Sequence, residues 1–149
     1  MNPYLKNTLE FGPVVIARIA DRVSPELLDR PLHEGRFTVR EIIAHLADWE
    51  PILRQRIIDI RDHPGITVQV FDEGQMAIDH AYASQSIEEA TSTFREERSI
   101  TASVVRALDA QDMRKPYIHP ERGEECLEDL VNSMLGHDLY HAEQISEYL

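Results

Sequence analysis

The chain has 149 residues, 42% of them hydrophobic, and its 15 Lys and Arg against 27 Asp and Glu give a formal net charge of −12. This length fits a single domain over residues 1–149, and the excess of acid argues against a nucleic-acid or anionic-membrane partner, which would need clustered Lys and Arg. Because the longest apolar runs are far too short to span a membrane and the N-terminus lacks a secretory signal, we expect a soluble cytoplasmic protein.

The first segment with helical periodicity runs from Pro3 to Val23, with apolar residues at three- and four-residue steps. Gly12 and Pro13 interrupt this segment. They predict either a kink or a helix that begins at Pro13, because proline is well tolerated in the first turn of a helix.

The second helical segment begins at Thr38, where Glu41 three residues later completes the pattern of a capping box. Apolar residues then continue at helical spacing as far as Ile60. Pro51 lies inside this segment and predicts a bend, because proline removes one backbone donor and crowds the preceding turn.

The middle of the chain is harder to interpret. Residues 67–71 alternate like a short strand, but a lone strand has no partner, so the sequence predicts an extended loop over 65–82 with one helical turn around Gln75–Ile78. A third helix is predicted from Ser86, and residues 109–124 are predicted to form a loop with a turn at Arg122-Gly123.

The fourth helical segment runs from Cys126 to the C-terminus. Four amphipathic helices without a convincing strand predict an all-α fold, an antiparallel-type four-helix bundle. Since Cys126 is the only cysteine, the chain has no intrachain disulfide, and we interpret this residue as an inert thiol.

Two histidines of the fourth segment carry the strongest chemical signal. His137 and His141 are four residues apart, so both imidazoles project from one side of a helix, beside its apolar stripe, and could share a metal ion. His45 lies at the edge of the apolar side of the second segment and could meet the pair inside a bundle. Three imidazoles with open positions are typical of a catalytic metal site.

Gly136 either permits a close helix approach or is simply tolerated.

The ordered set of motifs resembles the DinB-like superfamily of four-helix bundles (the DinB/YfiT type). The resemblance rests on T-V-R-E-I-I-A-H-L-A-D-W-E at 38–50, F-R-E-E-R at 94–98, H-P-E-R-G at 119–123 and L-E-D-L-V-N-S-M-L-G-H-D-L-Y-H-A-E-Q-I at 127–145. Members of this family commonly hold a divalent metal through one histidine of the second helix and two of the fourth. The resemblance therefore implies that His45, His137 and His141 are metal ligands, and it also implies a homodimer.

Three further residues are candidates for lining the site. Arg98 lies on the apolar stripe of the third segment, where it either pairs with a buried acid or clamps an anionic substrate. His119 lies in a predicted loop and either is solvated or lines the site. Gln144 returns to the side of the helix that carries His137 and could bond a bound water.

The resemblance suggests two reaction classes, metal-dependent hydrolysis and transfer with a low-molecular-weight thiol, each on a small-molecule substrate. Three imidazoles suit a divalent ion, with zinc or nickel ranked first and iron or copper as alternatives. One alternative function is a non-catalytic bundle that binds a metal or a small ligand, and another is a bundle whose histidines are only hydrogen-bonded.

Overall fold

The structure, a computed structural model, describes residues 2–149 and confirms the predicted four-helix bundle. The helices are α1 (Pro3–Ala20), α2 (Val39–Asp62), α3 (Glu73–Asp79), α4 (Ile87–Ala107) and α5 (Leu127–Ser146), and the strands are β1 (Pro116–His119) and β2 (Gly123–Cys126). Helices α1, α2, α4 and α5 form the bundle. Within residues 2–149, no helix combines the length and apolarity that crossing a membrane requires.

The bundle pairs its helices in an order that differs from a simple antiparallel hairpin arrangement. Helix α2 packs against α4 and α5, and α1 packs against the same two helices. Arg40 at the start of α2 donates to the carbonyl of Gln85 just before α4, and Arg54 further along α2 pairs with Glu97 further along α4. Helices α2 and α4 are therefore parallel, so the chain needs the long crossover of residues 63–86 to return along the bundle.

Helix α1 continues through Gly12 and Pro13, so the prediction that a helix begins at Pro13 is wrong. Pro13 has no N–H to offer the carbonyl of Leu9, four residues earlier. Nη1 of Arg98 on α4 donates to this carbonyl instead, at 3.0 Å. A cation from a neighbouring helix thus satisfies the backbone group that the proline leaves free.

Helix α2 begins as predicted. The Thr38 side chain accepts from the Glu41 N–H, and the Glu41 carboxylate accepts from the Thr38 N–H, which completes the capping box. The helix is unbroken across Pro51 and ends at Asp62. The bend near Pro51 stays a prediction.

The structure corrects two predicted loops. Part of 109–124 pairs with the residues before α5 as the antiparallel hairpin β1–β2, in which Gly123 takes the positive φ of +88° that favours glycine. The crossover supplies the partner that a lone strand lacked: Thr67 bridges to Ile118 of β1, and the Val68 N–H donates to the Ile118 carbonyl at 3.0 Å. The single turn predicted near Gln75 is the full helix α3.

Two apolar clusters fill the bundle, and a buried polar layer lies between them. Along α4 the first cluster contains Ala90 and Phe94 and the second contains Val105, while Arg98 lies in the interval and is only 2% exposed. Along α5 the same interval contains the predicted histidine pair. The candidate site is therefore part of a polar layer that crosses the bundle at one level.

Candidate metal centre

The structure brings together the three histidines that the sequence singled out. His137 Nε2 lies 3.1 Å from His45 Nε2 and 3.1 Å from His141 Nε2, and ligand atoms from the three residues all lie within 4.8 Å of one another. His45 comes from α2 and the other two from consecutive turns of α5. The contact between α2 and α5 thus forms a triad of ring nitrogens that face one another.

Aromatic side chains hold His45 in this position. Its ring lies 5.5 Å from Phe37, 5.8 Å from Trp49 in a stacked arrangement and 6.3 Å from Tyr82, measured between centroids. The Tyr82 hydroxyl in turn donates to Asp48 Oδ2 at 2.6 Å. His45 is 1% exposed, so its ring is fixed by packing on the side away from the triad.

Burial keeps the three imidazoles neutral. Desolvation, reinforced by the neighbouring His141, lowers the pKa of His45 to about 3, and desolvation with His141 and His45 lowers the pKa of His137 to about 2. The pKa of His141 is also lowered by burial. Neutral imidazole is the form that binds a metal, so these nitrogens are available as ligands at neutral pH.

Gln144 fixes the tautomer of His141. The amide oxygen of Gln144 lies 2.8 Å from His141 Nδ1 and can only accept, so Nδ1 carries the proton and Nε2 presents its lone pair to the triad. Orientation of a metal-binding histidine through its other ring nitrogen is common. The structure thus places Gln144 behind the triad, as a residue that orients His141.

The positions of the three nitrogens suit ligation of a shared divalent ion better than hydrogen bonding among the three rings. Nitrogens each about 2.0–2.1 Å from one ion would be about 2.9 Å apart at a right angle and about 3.3 Å apart at the tetrahedral angle. The two separations at His137 fall between these values. Without an ion, His141 Nε2 can only accept a hydrogen bond, so His137 Nε2 must carry a proton to bond it. That single proton would then be shared between His141 Nε2 and His45 Nε2. A cation would satisfy all three lone pairs, so the donor set fits a metal.

Arg98 lies in a buried ion-pair network beside the triad. Its Nη1 and Nη2 donate to Asp138 Oδ2 and Oδ1 at 2.6 and 2.9 Å, and its Nε donates to Glu50 Oε1 at 2.9 Å. Burial raises the pKa of Glu50 against the opposing effect of Arg98. Of the two roles predicted for Arg98, the structure shows the pairing with buried acids, and its charge also lowers the pKa of His137.

A cavity of about 270 Å³ opens beside the triad, between α2, the crossover, the β1–β2 hairpin and α5. His137 is one wall of this cavity. The other lining residues that matter for its chemistry are Trp49, Arg56, Phe71, His119 and Arg122. His119 therefore lines the cavity, as one of its two predicted alternatives stated, and its Nε2 lies 3.0 Å from Arg122 Nη1.

Sequence reasoning missed Arg56 and Arg122 as cavity residues. A signal existed for Arg56, because it follows Trp49 by seven residues and therefore lies on the same face of α2. No such signal existed for Arg122, since its position depends on a hairpin that the sequence did not reveal.

Four long helices with three histidines facing one another inside the bundle are the features of a helical protein that could bind a metal ion. Comparison with known proteins identifies the family. A model of the DinB superfamily matches residues 8–145, so the chain belongs to the DinB superfamily. The chain is 25% identical over 142 residues to a protein of Oceanobacillus iheyensis that is named as a putative metal-dependent hydrolase. The alignment covers 94% of this chain and 81% of that relative.

Among solved structures, the fold matches YfiT from Bacillus subtilis, which is described as a probable metal-dependent hydrolase with an unusual four-helix bundle topology. The TM-score is 0.91 at 19% sequence identity, and the match covers 99% of this chain and 87% of YfiT. At this identity the similarity establishes the fold.

Proposed function

We propose that the protein is a divalent-metal-dependent hydrolase of a small-molecule substrate. The observation that carries this proposal is that the Nε2 atoms of His45, His137 and His141 face one another beside a cavity of about 270 Å³. Three histidine ligands leave positions for water and substrate, as in catalytic rather than structural zinc sites. The relative from Oceanobacillus iheyensis, whose name refers to the same activity, supports this assignment.

A bound metal ion would supply Lewis acidity, which brings the pKa of a coordinated water close to neutral. The residues of the chain have three tasks around it. The three histidines would hold the ion, Gln144 keeps His141 in the required tautomer, and Trp49 with Phe71 forms an apolar wall on one side of the cavity. The ring centroids of these two aromatic residues are 5.7 Å apart in an edge-to-face contact.

Replacing His141 with alanine tests the metal site. We expect the purified wild-type protein to contain close to one equivalent of zinc or nickel, with iron or copper as alternatives, and H141A to lose most of it. Helicity should be retained because the apolar clusters supply the folding energy, and a bundle of this length does not need a metal to fold. The measurements are elemental analysis, circular dichroism and melting on the same samples.

H119A is the matched control, because His119 lines the same cavity but lies outside the triad. It should keep its metal. Equal metal content in H141A and the wild type would contradict the proposed ligand set, and an unfolded H141A would make the metal a structural element.

Hydrolysis and thiol transfer are separated by substrate. Chelated and metal-reconstituted protein should differ in the hydrolysis of a panel of small esters and amides. If reconstituted protein turns over substrates only when a low-molecular-weight thiol is added, the protein is a thiol transferase. If metal is bound and neither activity appears in such panels, the non-catalytic binding alternative is favoured.

We place the protein in the cytoplasm as a homodimer, and an exposed apolar strip along α1 and α5 supports dimer formation. Phe11 and Val15 on α1 are 57% and 44% exposed, and Leu139 on α5 is 71% exposed. Apolar surface of this kind is typical of interaction sites. Analytical ultracentrifugation at micromolar concentration measures the dimer, and a monomer would exclude it.

A further inference from the structure

Arg56 is a half-buried arginine whose guanidinium lies inside the cavity without an ion pair to any described residue. Among the described residues it forms no ion pair, although most other arginines of the bundle do. Its Nη2 donates to the Gln69 carbonyl, and its buried Nε has no hydrogen-bond partner. Burial lowers the pKa of Arg56, and the neighbouring Arg122 lowers it further, against the opposing effect of Glu73.

Aromatic contacts keep this guanidinium in one place. Its Cζ lies 5.4 Å from the centroid of Trp49 and 5.8 Å from that of Phe71, both within the range of a cation–π contact. These contacts and the Gln69 carbonyl leave Nη1 without a hydrogen-bond partner in the described part of the chain. The side chain is therefore preorganised with its Nη1 group free to donate.

This guanidinium belongs to the cavity that contains His137. Arg56 and His137 both line that cavity, and Trp49 contacts both Arg56 and His45 of the triad. The stacking of His45 on Trp49 at 5.8 Å and the Arg56 contact at 5.4 Å together limit the distance from the guanidinium to the His45 ring to about 11 Å. One small molecule could therefore touch both ends of the cavity.

A second cation faces the same space from the hairpin. Arg122 lines the cavity, although it is already paired with Glu125 at 2.6 and 2.9 Å. Two acids, Glu73 and Glu121, also line the cavity, and Glu73 acts on Arg56 through its charge without a direct ion pair in the described part of the chain. Of the two cations, Arg56 is therefore the one that has no ion pair within residues 2–149, and Arg122 can add a contact only by sharing its donors.

We propose that Arg56 is the anion-recognition residue of the cavity and binds a carboxylate or phosphate group of a small organic substrate whose other end reaches the histidine triad. The proposal rests on the proposed function for the reacting end, while anion binding at Arg56 is independent of the metal. A guanidinium suits both anions, because its planar donors match two oxygens of either group. The substrate class is therefore a small molecule with a terminal oxyanion.

The test measures binding of inorganic phosphate and of succinate by calorimetry to the metal-loaded and the chelator-treated protein, with uncharged succinamide as the reference ligand. We expect at least one of the two anions to bind in both states and succinamide to bind in neither. R56Q should weaken this binding about tenfold or more, as expected for the loss of a charge-assisted contact. The preferred anion distinguishes a carboxylate from a phosphate substrate.

Two variants serve as controls. R54Q removes an arginine of the same helix that pairs with Glu97 outside the cavity, and it should leave anion binding unchanged. E73Q removes an exposed carboxylate whose negative charge acts on Arg56. Because this charge would repel a bound anion, E73Q should tighten anion binding, and this tests the proposal even if R56Q does not fold.

Anion binding that disappears with the metal and is unaffected by R56Q would place the anion on the ion and overturn the proposal. An absence of phosphate and succinate binding in both states would also overturn it. Metal content identifies a failure of the proposed function separately, since R56Q should bind as much metal as the wild type.

Discussion

Replacing Arg98 with methionine tests the buried polar layer, because methionine keeps most of the side-chain volume and removes the charge. The substitution abolishes three hydrogen bonds to Asp138 and Glu50 and a fourth to the Leu9 carbonyl. Glu50 is 1% and Asp138 is 5% exposed, so both carboxylates would be left in a site with little access to water. Removing one partner of a buried ion pair typically costs about 3–5 kcal/mol.

We therefore expect R98M to lose about 3–5 kcal/mol of unfolding free energy in urea denaturation, or roughly 6–20 °C in Tm for a chain of this size. The control is R106M on the same helix. Arg106 pairs with Glu10, and both side chains are 46% exposed, so its loss should cost under about 1 kcal/mol.

A triple variant distinguishes unpaired charge from lost packing. Adding E50Q and D138N to R98M removes the buried charges and should recover part of the stability. A loss below about 1 kcal/mol for R98M, or no recovery in the triple variant, would refute the argument that paired charge stabilises this layer.

Two further predictions concern the same layer. G12A should destabilise the protein by about 1–3 kcal/mol in urea denaturation, because an added Cβ would lie 2.0 Å from Asp138 Oδ2; a neutral result would show that α1 can move away from α5. The chelator-treated protein should be most stable above pH 6.5 and should lose stability as the pH falls below this value. The reason is that folding lowers the pKa of His45 to about 3 and that of His137 to about 2. As the pH falls, the unfolded chain therefore takes up protons before the folded protein does. The slope between pH 6.5 and 5 should approach about 1.4 kcal/mol per pH unit for each histidine, and an unfolding midpoint in urea that does not change over this range would contradict their burial in the neutral form.

The sequence was sufficient to predict the parts of the fold that depend on local patterns. The capping box of Thr38 and Glu41 marks the start of α2, and the four-residue spacing of His137 and His141 puts them on one side of α5. The hairpin and its bridge to Thr67 could not be predicted in this way. The bridge joins Thr67 to Ile118, which are 118 − 67 = 51 positions apart, and each strand of the hairpin has only 4 residues, too few to show a clear alternation.

Of the two interpretations of Gly136, the structure supports the tolerated glycine, and the close helix approach lies at Gly12 instead. An added Cβ at Gly136 would meet nothing within 4 Å, whereas one at Gly12 would collide with Asp138 and approach Arg98 Nη1 at 3.1 Å. The sequence shows both glycines inside helical segments. Only the packing of α1 against α5 shows which of them the fold requires.

The polar layer also explains how the fold can assemble the histidine triad without depending on a metal. Asp138 follows His137 directly, so the fork of two hydrogen bonds between Asp138 and Arg98 fixes the rotation and height of α5 at the point where His137 faces His45. A shift of α5 that separated the two histidines would also break that fork, which is geometrically strict because both guanidinium nitrogens must face both carboxylate oxygens. Glu50 makes the corresponding connection from α2, five residues after His45. The ion pairs therefore position the histidines through contacts of the chain alone, which is the preorganisation that the proposed metal site requires.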